Sequence, residues 1–183
     1  MKKIIIILSI MFGLFTKINA NNNQSIYDFS FKNIDGDTIE LSDYKNKVVL
    51  ITNVASRCGF TNQYSGLQKL WENYQNNDLI VIGVPTNNFK QEPGSNKDIK
   101  DFCESNFGIT FQLTEKVNVI GKNAHPFFIW AKSTFGISAI PKWNFHKIII
   151  NKQGEVVKTF SSITKPSSIK FISFIEKILE IKT

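Results

Sequence analysis

Cysteine, histidine and arginine are scarce in this chain. Of its 183 residues only Cys58 and Cys103 carry thiols, too few for the disulfide-dense scaffold of a small secreted protein. His125 and His146 are the two histidines, and neither stands at the spacing of a helical ligand pair. The usual zinc patterns are therefore missing, and neither a metal centre nor a cofactor is expected. Arg57 is the single arginine, and the other cations are lysines interspersed with acids. Nucleic-acid binders tend to gather their cations into a basic stripe, so no such partner is expected. No internal repeat is present, and low-complexity sequence is confined to a few asparagines. The longest apolar run, Ile4 to Phe15, falls short of the roughly twenty residues that a membrane-spanning helix requires.

That run nevertheless has a reading of its own. Lys2 and Lys3 precede it, and Ile18-Asn19-Ala20 ends the stretch on a small residue, the layout of a secretory signal peptide. Residues 1–20 are accordingly set apart as a leader for export to a periplasm or the exterior. An uncleaved anchor or a buried first element fits less well, and no cysteine follows to accept a lipid. Removing the segment takes away Lys2, Lys3 and Lys17 and no acid, so the formal net charge falls from +7 to +4. After an Asn-rich linker over 21–25, residues 26–183 form one domain, long enough to bury a core without disulfide staples. A hydrophobic content of 42% excludes a disordered chain.

Periodicity lays out the elements of this domain. Ile26 to Phe31 and Thr38 to Leu41 flank the turn Asp35-Gly36-Asp37, which predicts an N-terminal β-hairpin. Val48 to Asn53 is largely β-branched and apolar, as a strand buried on both faces of a sheet is. From Thr61 to Tyr74 the residues Tyr64, Leu67, Leu70, Trp71 and Tyr74 recur at threes and fours, so a helix is expected directly after Cys58. Leu79 to Val84 is a second buried strand, which completes a right-handed crossover with Cys58 at the carboxyl edge of the first strand. Lys97 to Phe107 reads as a helix carrying Cys103 and stopping at Gly108, and His125 to Phe135 as another. Phe145 to Ile150 and Val156 to Phe160 form a hairpin around Gln153-Gly154. Pro166 opens a last helix with Ile169, Ile172, Ile175 and Leu179 on its apolar face. This order is that of an α/β thioredoxin-like fold: a central mixed β-sheet flanked by helices, with an added N-terminal β-hairpin.

A thiol attacks as its thiolate, and the amino-terminal edge of a helix favours an anion there, with Arg57 beside Cys58 as a further cation. Position alone leaves open that Cys58 is a small buried hydrophobe. The surrounding residues are more specific. Asn53-Val54-Ala55-Ser56-Arg57-Cys58-Gly59-Phe60-Thr61 resembles the active-site signature of the glutathione peroxidases. Pro85-Thr86-Asn87-Asn88-Phe89-Lys90-Gln91-Glu92-Pro93-Gly94-Ser95-Asn96 resembles that family's second block, and Lys142-Trp143-Asn144-Phe145 its third. The resemblance implies a cysteine peroxidase acting on hydrogen peroxide and on organic or lipid hydroperoxides, with Cys58 as attacking thiol and Gln91, Trp143 and Asn144 around it. Amide and indole N–H groups are donors, suited to a charged sulfur and to the charge that develops in the transition state.

The chain departs from the family pattern at Thr86, where a cysteine is usual, and at Lys90, which follows Phe89 without the common intervening glycine. That loop is one residue shorter, so Gln91 is expected to reach Cys58 by a different path. The short segment between His125 and Trp143 is similar to the phospholipid-hydroperoxide and thioredoxin-dependent branches, which implies a monomer recycled by a thioredoxin-like protein or by glutathione. Thioredoxin-dependent members carry a resolving cysteine in this helical segment, which implies that role for Cys103; its plain alternative is a buried structural thiol between Phe102 and Phe107. A thiol-disulfide oxidoreductase would need a second cysteine where Thr61 stands, and a peroxiredoxin a threonine where Ala55 stands. An exported binding domain with one structural disulfide is the non-enzymatic alternative.

Overall fold

The computed structural model describes residues 24–181, so the leader expected over 1–20 and most of the linker lie outside the described residues. Near the start, β1 (Ser30–Lys32) and β2 (Thr38–Glu40) pair antiparallel, with Phe31 opposite Ile39. The Asn33 side-chain oxygen accepts from the amides of Asp35 and Asp37 (2.9 and 2.8 Å), and Gly36 takes the positive φ that the turn requires. This is the predicted hairpin, narrowed because Ile26–Asp28 and Leu41–Tyr44 wind into single 3-10 turns.

The central sheet contains β3 (Val48–Val54), β4 (Leu79–Pro85), β5 (Gln112–Leu113), β6 (Lys147–Ile150) and β7 (Val156–Phe160), in the order β5-β4-β3-β6-β7. Strands β3, β4 and β5 run parallel, whereas β6 and β7 are antiparallel to their neighbours. Both seven-residue strands, β3 and β4, are buried along their whole length, as their unbroken apolar runs require. Alternation divides β3 between two cores: Val48, Leu50 and Val54 face one side, Val49 and Ile51 the other. Helices α1 (Gln63–Tyr74), α2 (Asn96–Phe107) and α4 (Ile169–Leu179) cover the first side, while α3 (Pro126–Phe135) and the hairpin cover the second.

Two sequence expectations shift. The core face of α4 is Phe171, Ile175 and Leu179, whereas Ile169 is 84% exposed. At 100° per residue Ile169 stands about 200° from Phe171, on the opposite side of the helix. The two-residue β5 escapes sequence reading because it is too short to show a period. It docks where Gly83 leaves room, since a Cβ there would come within 2.8 Å of Leu113.

Candidate active site

Strand β3 delivers the chain to Ala55 at the carboxyl edge of the sheet, and a run of turns follows before α1 begins at Gln63. Cys58 therefore lies in those turns, and α1 starts two residues later than the expected Thr61. The Thr61 hydroxyl oxygen accepts the Cys58 amide (3.0 Å), and the Cys58 carbonyl accepts the Thr61 amide (3.0 Å), so the turn is closed on itself. The Phe60 N–H points at Cys58 Sγ across 3.4 Å. A single local amide thus stands where the first turn of a helix was expected to act. Cys58 as a whole is 8% exposed and counts as buried.

Beside it the loop from Thr86 to Glu92 is fastened strand to strand. The Thr86 amide donates to Val54 O (3.1 Å) and the Arg57 amide to Gln91 O (3.0 Å). One oxygen of the Glu92 carboxylate, which is almost fully buried, accepts both the amide and the hydroxyl of Ser56 at 2.7 and 2.9 Å. Burial pushes the Glu92 carboxyl up, and the bonds from Ser56 oppose that shift. The shortened loop still brings Gln91 to the site: Lys90 takes a left-handed conformation (φ 57°), which turns the chain without the usual glycine.

The third segment is held by Asn53. Its Nδ2 donates to Trp143 O (3.1 Å), its Oδ1 accepts the His146 amide (3.1 Å) and its carbonyl accepts the Phe145 amide (2.6 Å). Asn144 is buried between these contacts, and its Nδ2 donates to Gln91 Oε1 at 2.8 Å. The bond occupies the Gln91 oxygen and leaves the Gln91 Nε2 hydrogens uncommitted. Trp143 is 41% exposed and leans on Phe89 with ring centroids 5.4 Å apart. All four predicted residues thus come from segments that are stitched together, with Gln91 and Asn144 in direct contact. Asn53, Thr61 and Glu92 were not singled out from sequence, although each stands inside one of the three segments. A buried carboxylate in a Pro/Gly loop has no periodic signature to announce it.

The family model described as glutathione peroxidase matches residues 26–132. The chain belongs to the glutathione peroxidase family. Among relatives of this peroxidase chain, "Hydroperoxy fatty acid reductase gpx1" of Synechocystis sp. is 45% identical over 171 residues, covering 88% of this chain and 100% of the relative. "Glutathione peroxidase-like peroxiredoxin 2" of Saccharomyces cerevisiae is 45% identical, over 79% of this chain and 92% of its own. The crystal structure of Trgpx in apo form superposes with a TM-score of 0.68 at 31% identity, covering 87% of this chain and 99% of that one.

Cys103 lies apart from the four. It is fully buried on α2 in the core that also includes Cys58, and both cysteines are free thiols. Burial pushes its thiol up to about 11, opposed by the nearby Tyr64 hydroxyl. The ring of Tyr64 packs against Phe107 and Phe145, with centroids 5.3 and 5.2 Å away.

Proposed function

We propose that this glutathione peroxidase is an exported enzyme that reduces hydrogen peroxide and organic or lipid hydroperoxides through Cys58. The thiolate attacks the distal peroxide oxygen, the O–O bond breaks, and the departing oxygen takes a proton to leave as water or an alcohol. Cys58 becomes a sulfenic acid. Gln91 Nε2, the Trp143 indole N–H and the Phe60 amide are donors for the sulfur and for the departing oxygen. The observation that carries this reading is the Asn144–Gln91 bond of 2.8 Å, which aligns two of the three motif segments beside the cysteine turn.

Cys103 then attacks the sulfenic sulfur, a disulfide forms and water leaves, and a thioredoxin-like protein or glutathione returns both thiols. Because Cys103 is fully buried, α2 must open first. Of its twelve residues only Ile99 and Cys103 are buried, with Phe102 and Phe107 packed partly against the core, so opening has to detach these four side chains. Intact mass after one equivalent of peroxide tests the sequence of steps. A loss of about two mass units is expected for the native chain, and a gain of about sixteen for Cys103→Ser. A gain of about sixteen in the native chain, with unimpaired turnover of Cys103→Ser, would make Cys103 structural.

A further inference from the structure

Tyr64 is a polar residue that the attack of Cys58 on a peroxide leaves unused. It is fully buried in the first turn of α1, and its amide donates to Thr61 O (3.0 Å). Thr61 in turn closes the cysteine turn, so Tyr64 is fixed to the Cys58 side of the molecule and not to α2. Phe107 and Phe145 pack on its ring and hold the hydroxyl in place. That hydroxyl is buried too, and it completes no hydrogen bond among the described residues. A buried hydroxyl without a bond lowers stability, and cores rarely keep one. Phenylalanine would fill the same space without that cost.

The group beside the hydroxyl is the Cys103 thiol of α2. Cys58 and Glu92 are the other ionisable groups that act on it, and burial together with these acids holds its proton well above the ordinary tyrosine range. The hydroxyl therefore stays protonated and can serve Cys103 only as a donor. Around Cys103 itself stand Tyr64, Glu92 and Glu104, and of these Tyr64 alone favours the thiolate. A thiol is a weak acceptor, whereas a charged sulfur is a strong one. The bond that is incomplete in the resting chain thus forms as the sulfur charges, and an interaction gained on the way to reaction accelerates a step. Opening α2 does not remove the donor. Thr110, just past that helix, stays tied to α1: Gln68 Oε1 accepts its amide (2.9 Å) and Gln68 Nε2 donates to its hydroxyl (2.8 Å). Gly108, left-handed at φ 58°, ends α2 and supplies the hinge.

We propose that Tyr64 is a catalytic residue of the second half-reaction, its hydroxyl donating a hydrogen bond to the Cys103 sulfur as that sulfur gives up its proton and attacks the sulfenic acid of Cys58. The S–S bond forms, the S–O bond breaks, and the departing hydroxide takes the proton released by Cys103 to leave as water. Tyr64 keeps its own proton throughout. The inference rests on Cys103 being the resolving residue, and the experiment separates the two. A hydrogen bond to a charged group lowers a thiol pKa by about one to two, and the weaker nucleophilicity of the more acidic thiolate returns about half of that gain. Losing the donor should therefore slow disulfide formation about three- to ten-fold at neutral pH.

Acid-quenched intact mass after one equivalent of hydrogen peroxide follows the sulfenic acid, a gain of about sixteen mass units, as it converts to the disulfide, a loss of about two. The decay of the first species is timed in the native chain, in Tyr64→Phe, and with 3-fluorotyrosine at position 64, a stronger donor of nearly the same shape. The expected order is slower by about three- to ten-fold for Tyr64→Phe and faster than native for the fluorinated ring. If the tyrosine merely latched α2 shut, its loss would ease opening and speed the step. A disulfide that forms in Tyr64→Phe at the native rate or faster would overturn the inference and leave Cys103 as the resolving residue. A sulfenic acid that persists in the native chain would remove Cys103 from that role, and Tyr64 with it.

Discussion

At the scale of single residues, the account turns on donors that have no partner among the described residues. Trp143→Phe keeps the packing on Phe89 and removes only the indole N–H, while Gln91→Ala removes the amide that Asn144 orients. Each is expected to slow the first oxidation of Cys58 about ten-fold or more in stopped flow, equivalent to about 1.4 kcal/mol per lost donor. Unchanged rates in both would take them out of the site. Glu92 is a different case, because it positions the cysteine turn and touches no sulfur. Glu92→Leu would strand the buried amide of Ser56 without an acceptor, which predicts a loss of about 1–3 kcal/mol in denaturant unfolding. Glu92→Gln retains an acceptor oxygen and sheds the charge that burial disfavours, so its stability should stay near that of the native chain.

At the scale of elements, β6 carries the most unusual group in the core. Lys147 is fully buried, no carboxylate among the described residues accepts its ammonium, and burial lowers its pKa to about 7 from an ordinary 10.5. Between those two values the unfolded chain binds the proton more tightly than the folded one. Stability should therefore rise with pH across that window, and the full burial penalty applies below it. Lys147→Met is expected to flatten this rise in urea midpoints measured from about pH 6 to about pH 10. An equally steep profile in the variant would assign the titration to other groups. The lysine also illustrates what sequence periodicity conceals. Phe145 to Ile150 reads as a buried apolar strand, and Lys147–Ile150 forms one, yet no pattern marks its polar side chain as buried. The same holds for α4: a list of isoleucines suggested its face, but the register of Phe171 set it.

At the scale of the whole molecule, the sheet, its flanking helices and the N-terminal hairpin were legible because β-branched runs and helical spacings persist over six or more residues. The four candidate site residues were legible through their motif segments. What joins those segments was not, since the bonds of Asn53 to Trp143 and His146, and of Ser56 to Glu92, link positions 36 to 93 residues apart. Pairing over such distances belongs to tertiary structure. It also distinguishes the two cysteines, for Cys58 has an amide at its sulfur and is 8% exposed, whereas Cys103 is fully buried. The most direct test of that distinction is single-turnover consumption of hydrogen peroxide by the reduced native chain, by Cys103→Ser and by Cys58→Ser. The native chain and Cys103→Ser should consume peroxide at the same initial rate, and Cys58→Ser should consume none while its unfolding curve stays unchanged. Peroxide consumption by a folded Cys58→Ser at the native rate would contradict the account.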